Sequence, residues 1–486
     1  MVIDIHLLSP AALHTSTDPS QYAIQPIPTI EDFQSLWTAW DLATKTMIAR
    51  EELLSKPIKL RNALIFYLGH IPTFFGMLFK LQLVFEDPTE PRYYQQIFER
   101  GIDPDVEDPE QCHNHSEIPD EWPKLDEILD YSEKVRNRAQ SILEEGSAQQ
   151  DRTLGEALWI GFEHEAMHLE TFLYMLLQSD KSLPPTGVPR PDFEDISRKA
   201  KMNEKPNKWF SIPAQTLTIG LDDCDEEIMP KSSFGWDNEK PQRMVNVHAF
   251  EAQARPITNG EYAKYLQAHN LQTLPASWVL IPGPDNPISN GIGNSTAQAG
   301  SSSDTMGLSM DRIAVRTVFG PVALKYAQDW PLSASYDELA TYADWMSCRI
   351  PTFEEAKSIY QHAENTQGCQ ATNGHINGTN GTNGSYSHDL KPRFTDQGLF
   401  RDLKGCNVGF KNWHPIPVTP NGDKLARQGD MGGVWEWTST SLTPHKGFKS
   451  MEIYPGYTSD FFDGKHNVML GGSWATLPRI AGRSSL

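Results

Sequence analysis

Several features are scarce in this chain, and each scarcity removes a class of function. No apolar run approaches the roughly twenty residues that a membrane-spanning helix needs. The opening Met1-Val-Ile-Asp-Ile-His has no basic stretch followed by an apolar one, so a secretory leader is not expected. Positive charge is short as well. Against 63 Asp and Glu stand 42 Lys and Arg, a formal net charge of -21, which argues against nucleic acid or an anionic membrane as a partner, since either needs a basic footprint. The five cysteines, Cys112, Cys224, Cys348, Cys369 and Cys406, are scattered and form no C-x-x-C pair. Reduced thiols in a cytoplasmic protein are the simplest account. The sequons at Asn377, Asn380 and Asn383 therefore carry little meaning.

At 486 residues the chain exceeds one core, and two or three domains are expected. Its organising stretch runs from Thr153 to Gln178 and reads as one helix. Thr153 and Glu156 have capping-box spacing, and Leu158, Phe162, Leu169, Phe172, Leu173 and Leu176 recur at helical steps. His164 and His168 are one turn apart, so both imidazoles leave the same side, where Ala157 and Gly161 leave room for an approaching group. With Glu163, Glu165 and Glu170 interleaved, this is the arrangement a divalent metal needs. A pair of core or surface histidines is the plainer alternative.

Residues 1–29 read as a linker or tail. Phe33, Leu36, Trp37, Trp40, Ala43 and Met47 give a first helix over 31–54. A second, strongly apolar helix over 60–83 carries His70, with Pro72 just beyond it as a candidate kink. Taken alone, His70 would be a satisfied core histidine. A loop of about forty residues follows; its Arg92, Tyr93, Tyr94 and Arg100 suit binding of a carboxylate, whereas His113 and His115 are too close to share a helix face. Leu125, Ile128, Leu129, Val135, Ala139 and Ile142 make a third helix closed by Gly146, and the His164 helix is the fourth. Four such helices suggest a bundle in which His70 meets His164 and His168. After the proline-rich stretch near 184–191 short strands take over at Trp209, Leu217 and Val245, with a helix over 336–346 whose Leu339, Tyr342, Ala343 and Met346 face inward. Two low-complexity inserts, 289–306 and 371–385, cannot bury apolar area.

Separate motifs in the second half resemble, in their order, the formylglycine-generating-enzyme (sulfatase-modifying-factor) fold. They are Phe234-Gly-Trp-Asp-Asn-Glu-Lys-Pro, Ile257-Thr-Asn-Gly-Glu-Tyr262, Arg349-Ile-Pro-Thr-Phe-Glu-Glu355, Gly432-Gly-Val-Trp-Glu-Trp437 and Gly471-Gly-Ser-Trp474. Gly69-His70-Ile-Pro and His164-Glu-Ala-Met-His168-Leu-Glu-Thr171 resemble a DinB-type bundle with its three-histidine site. Together, over residues 30–486, they resemble the iron-dependent sulfoxide synthases of ergothioneine biosynthesis, fungal branch. The implied fold is α+β and multidomain: a DinB-like four-helix bundle over 30–180, a linker over 181–204, and a C-type-lectin-like domain over 205–486.

The resemblance implies Fe(II) on His70, His164 and His168, with O2 as co-substrate and hercynine and cysteine as substrates, giving hercynylcysteine sulfoxide. Such a site is a relative of the two-histidine, one-carboxylate oxygenase centre, and aromatic faces suit a trimethylammonium cation. The pattern Tyr454-Pro-Gly-Tyr457-Thr-Ser-Asp-Phe461-Phe462 makes Tyr454 the proton donor and Tyr457 a wall of the hercynine pocket. Trp435, Trp437 and Trp474 read as fold residues.

Three departures stand out: Met167 where bacterial relatives carry Gln, no preceding methyltransferase domain, and an end at Arg483-Ser-Ser-Leu486 ahead of further pocket residues. The last predicts an unpaired strand and uncovered apolar surface in a C-terminally incomplete domain. Other readings of the same residues are an impaired or non-catalytic binding or regulatory relative and an ovothiol-type synthase. A further one is an H-E-x-x-H metalloprotease, with Glu165 as base and Glu194 as third ligand.

Overall fold

The computed structural model describes residue 13 and residues 16–81, 88–99, 119–224, 227–231, 233–281, 310–373 and 399–485, apart from the side chains of 79–81 and 367–373. Arg100, Cys112, His113, His115 and the three sequons lie outside the described residues, as do insert 289–306 and all but the first three residues of insert 371–385. Among the described residues no helix is long and apolar enough to cross a membrane.

The N-terminal stretch predicted to be a tail is a strap. Its one-turn helix α1 (Pro19–Tyr22) and Ile27 are packed, with Tyr22 and Ile27 almost fully buried. Arg479, far along the chain, donates to the carbonyls of Tyr22, Gln25 and Pro26 at 3.2, 2.6 and 2.5 Å. Three carbonyls on one guanidinium satisfy donors that burial would otherwise orphan.

Helix α2 (Ile30–Thr46) starts on a reciprocal capping box between Thr29 and Asp32 and buries Phe33, Leu36, Trp37, Trp40 and Ala43. It ends eight residues before the sequence pattern suggests. Helix α3 (Leu64–Leu81) keeps Pro72 inside it. A helical turn, α4 (Tyr94–Ile97), precedes Phe98, which fills the space over Gly69: a Cβ at Gly69 would come within 2.3 Å of the Phe98 ring. Helix α5 (Leu125–Glu145) buries Ile128, Tyr131, Val135, Ala139 and Ile142, and it stops at Gly146, whose φ of 70° is left-handed. Helix α6 (Arg152–Leu177) is the centre of the bundle, packing on α2 and α3. Its cap is Asp151, which accepts from Leu154 N–H at 3.2 Å. Thr153 is therefore inside the first turn and makes no capping box, because a carboxylate two residues earlier already meets the free N–H groups and the positive end of the helix. The gap left by Gly161 admits no ligand; the Phe75 ring occupies it, 2.3 Å from where a Cβ would sit, and stacks on Phe33.

The span expected to be linker holds α7 (Phe193–Met202), capped by Asp192 and packed through Phe193 on Trp330 of the second half. Four small antiparallel sheets follow: β1 (Trp209–Ile212) with β4 (Phe250–Gln253), β2 (Gln215–Ile219) with β3 (Arg243–Val247), β5 (Trp278–Leu280) with β6 (Ile313–Val315) and β7 (Val322–Ala323), and β8 (Trp435–Ser441) with β9 (Asn467–Gly471). Around them lie α8 (Asn259–Ala268), α9 (Leu324–Ala327), α10 (Tyr336–Trp345), α11 (Phe353–Asn373), α12 (Gly456–Ser459) and α13 (Pro478–Ala481). On α10, Tyr342 and Ala343 are buried as expected, but Met346 is 39% exposed because the helix has ended. A helical half followed by small sheets and helices is the α+β architecture predicted.

The tail of the chain is packed. Ser484 N–H donates to Leu399 O at 2.8 Å, Phe400 and Arg483 form a bridge, and Arg483 and Ser485 are buried.

The approach of Phe75 to α6 generates a test. A Gly-to-Ala change inside a helix ordinarily gains about 1 kcal/mol, whereas forcing atoms into a filled core loses about 1–3 kcal/mol. Gly161→Ala should therefore be net destabilising in denaturant unfolding. A raised unfolding midpoint would show that Phe75 does not close on the helix as described.

Candidate metal centre

The helical repeat decides what each face of α6 meets. Successive residues turn by about 100°, so Glu163, His164 and Glu165 point to three different surroundings. His164 and His168 face α3, where His70 enters between them. Ligand nitrogens of His70, His164 and His168 all lie within 4.8 Å of one another. Ring centroids are 5.2 Å apart for His70 and His164, 5.0 Å for His70 and His168, and 4.4 Å for His164 and His168.

Each imidazole is conditioned for coordination. His70 Nδ1 is 2.8 Å from Phe98 O; a carbonyl only accepts, so Nδ1 carries the proton and Nε2 keeps its lone pair for a metal. Phe66 stacks on the His70 ring at 5.0 Å, and Phe74 stacks on His164 at 3.8 Å. Burial, then the neighbouring imidazoles, holds His164 well below the usual histidine range; burial and then His70 do the same for His168. Both rings are consequently neutral at pH 7, the form that binds metals. Among the described residues His168 Nδ1 is buried with no hydrogen-bond partner, a polar atom whose desolvation is otherwise uncompensated. Three convergent imidazoles, with no carboxylate in the cluster among the described residues, fit a borderline first-row cation such as Fe, Zn or Cu rather than Mg or Ca.

None of the three interleaved glutamates joins the cluster. Glu165 lies 3.5 Å from Arg136, which also pairs with Asp41 at 3.0 Å; burial pushes its pKa up to about 7. Glu194 on α7 accepts from Tyr326 OH at 3.2 Å. Both residues required by an H-E-x-x-H protease are engaged elsewhere, so that reading is set aside.

Glu163 and Glu170 reach the second half. Glu163 accepts from Trp159 and Trp236 Nε1–H, both at 2.6 Å, and from Arg483 at 3.3 Å. Glu170 accepts from Trp435 Nε1–H at 2.6 Å, Ser473 Oγ at 2.5 Å and Thr476 Oγ1 at 2.7 Å, and from Tyr174 OH. Trp435 donates across the interface to Glu170, and Trp474 is buried.

Tyr454 and Tyr457 come from the second half, beside and within α12. Tyr454 packs on Phe74 at 5.1 Å, one ring removed from His164. Tyr457 lies face to face with Trp236 at 4.0 Å and 20°, and its hydroxyl is 3.9 Å from Met167 Sδ. Burial, followed by Glu163 and Glu239, raises the Tyr457 pKa well above its ordinary value, so the phenol stays protonated. Met167 thus occupies the wall next to Tyr457. In the long loop, Arg92 pairs with Glu90 at 2.8 Å and Tyr94 is core against Phe98 and Tyr131.

Phe66, Phe74, Phe98 and Trp236 are the neighbours that sequence reasoning missed. Only Trp236 carried a signal, its place in a recognised motif. The aromatic periodicity of α3 resembles any apolar helix.

Fold and site together define a DinB-type bundle with a three-histidine cluster, docked on a sulfatase-modifying-factor domain. The family models agree: the DinB superfamily matches residues 33–172, and the sulfatase-modifying factor enzyme 1-like domain matches residues 193–485. Because the latter spans more than half of it, the chain belongs to the sulfatase-modifying factor enzyme 1-like family. The chain is 51% identical, over 99% of its length and 58% of the relative's, to Ergothioneine biosynthesis protein 1 of Neurospora crassa. It is 29% identical to the Schizosaccharomyces pombe protein of that name, over 96% of this chain and 54% of that one. With Hercynine oxygenase of Mycobacterium tuberculosis it shares 28% identity over 54% of this chain and 53% of the relative. It therefore spans little more than half the length of the curated relatives it matches. The resemblance read from the motifs holds.

Substituting Ala singly at His70, His164 or His168 should abolish stoichiometric binding of the metal while leaving helical circular dichroism largely intact. Metal analysis of anaerobically loaded protein reads this directly. Full occupancy in His70→Ala would sink the three-histidine assignment.

Proposed function

We propose that this chain is a non-haem iron(II) sulfoxide synthase that uses O2 to join hercynine and cysteine into hercynylcysteine sulfoxide. The observation that carries the reading is the convergence of three imidazoles beneath a tyrosine-bearing segment, in a chain half identical to a protein named for ergothioneine biosynthesis. Joining imidazole C2–H and cysteine S–H with one O2 gives a C–S(O) linkage and one water, so atoms and electrons balance without another oxidant. Iron bound by His70, His164 and His168 would supply the O2 chemistry and a place for the substrate thiolate.

The rest follows from this chain's own groups. Among the described residues no cysteine joins the cluster, so the sulfur belongs to the substrate. Cys406, for one, is buried, its thiol pushed up to about 12, which makes it a poor nucleophile. The Tyr454 phenol, packed on Phe74, is our assignment for the donor of a proton to the oxygen that leaves as water. Tyr457, held flat by Trp236, is our assignment for one wall of the hercynine site; paired aromatic faces suit a trimethylammonium group, which accords with the acidic chain. We assign the iron site to residues 30–180 and the substrate walls to 205–486. The free thiols of Cys224, Cys348 and Cys406 support a cytoplasmic setting.

The test is hercynine- and cysteine-dependent O2 uptake by the iron-loaded chain, with product mass and regiochemistry determined. Substitution at imidazole C5 instead of C2 would move the chain to the ovothiol-type alternative. General acids contribute about 10²–10⁴-fold, so Tyr454→Phe should lower sulfoxide formation at least tenfold while Tm and iron content stay near the parent's. An unchanged product rate would return Tyr454 to a packing role.

A further inference from the structure

We infer that Glu163 is a positioning residue that sets the place of Tyr457 through the indole of Trp236; the inference rests on Tyr457 being a wall of the hercynine site. The two carboxylate oxygens of Glu163 have different duties. Oε1 accepts from Trp159 Nε1–H and from the Arg483 guanidinium, and the Trp159 ring itself packs on Trp236 at 4.9 Å. Oε2 accepts from Trp236 Nε1–H alone among the bonds found, at 2.6 Å. The Trp236 indole, 1% exposed, is the surface on which Tyr457 lies at 4.0 Å.

A second contact grips the same segment. Thr458 Oγ1 donates to Asp237 Oδ1 at 2.5 Å, so residues 236 and 237 hold 457 and 458 pairwise. On the far side the Tyr457 hydroxyl touches Met167, one turn along α6 from Glu163. The tyrosine is therefore bracketed by an indole that α6 orients and a thioether that α6 carries. Glu163 immediately precedes His164, so the metal-side imidazole and the wall opposite it share one rigid frame. Arg483, 3.3 Å from Oε1, is the cation beside this carboxylate, whose two oxygens accept one hydrogen bond from each indole.

A purely structural Glu163 would matter only for stability, whereas a positioning Glu163 must be coupled to Tyr457 in ligand binding. A double-mutant cycle separates the two. Calorimetric Kd for hercynine would be measured on the anaerobic iron-loaded full chain, alongside kcat, Tm and iron content. Glu163→Gln, Trp236→Phe and Trp159→Phe would each be made in the parent and in a Tyr457→Ala background. In Glu163→Gln the side-chain amide offers one acceptor oxygen and one NH2, so it cannot serve both indoles.

Loss of a binding wall weakens affinity more than turnover. We expect Glu163→Gln and Trp236→Phe to raise Kd roughly tenfold in the parent but less than about twofold without Tyr457, with iron content kept. Trp159→Phe removes a donor from the other oxygen but keeps an aromatic ring against Trp236, so it should lower Tm and change Kd by less than about twofold. Equal Kd changes in both backgrounds, or a Trp159→Phe effect as large as that of Trp236→Phe, overturns the inference. If Glu163→Gln does not fold, the two tryptophan variants decide it. A parent that binds no hercynine overturns the functional reading and this inference with it; a parent that binds without coupling overturns only the inference.

Discussion

The structure depends on two carboxylates buried in the middle of one helix. Stripping an ionised carboxylate of water costs several kcal/mol unless strong donors replace the hydration. Glu163 and Glu170 receive most of those donors from outside the bundle, Trp236, Arg483, Trp435, Ser473 and Thr476, beside Trp159 and Tyr174 of α6 itself. The docking is therefore conditional in both directions. If the second half is withdrawn, two charges on α6 lose their partners; if a glutamate is withdrawn, indole N–H groups and the Arg483 guanidinium are stranded. Seven residues, two turns, separate the pair, so they fix translation and rotation of α6 against the second half.

That constraint reaches the chemistry because His164 and His168 sit one step around the same helix. The imidazoles are held from behind by Phe66, Phe74 and the Phe98 carbonyl. The tyrosine segment is held from the front by Trp236 and Asp237. The bundle also touches that segment, through Phe74 and Met167. Desolvation keeps the His164 and His168 rings neutral and the Tyr457 phenol protonated, so one physical cause conditions the histidine cluster and the tyrosine alike.

The differences between sequence and structure share a form. Gly161 was legible as a gap, but its filler, Phe75, is on another helix. Glu163, Glu165 and Glu170 were legible as carboxylates beside two histidines, yet none joins the cluster and each serves a different partner. The prolines before Phe193 predict a linker, and a capped helix forms there because Phe193 has Trp330 to bury against. Local pattern states which residue needs burial or pairing; it does not state with whom.

By itself, the sequence determined that the chain has a helical half and a strand-rich half, that His164 and His168 share a face, and that His70 lies mid-helix. These follow from short-range periodicity, which is written in neighbouring residues. Tertiary structure alone decided that His70 closes on the pair and that the Phe98 carbonyl sets its tautomer. It also decided that Glu163 and Glu170 face indoles instead of a metal, and that Tyr454 and Tyr457 stand next to α6. Those relations join residues up to some three hundred positions apart, and they depend on packing angles and side-chain directions that no local spacing encodes.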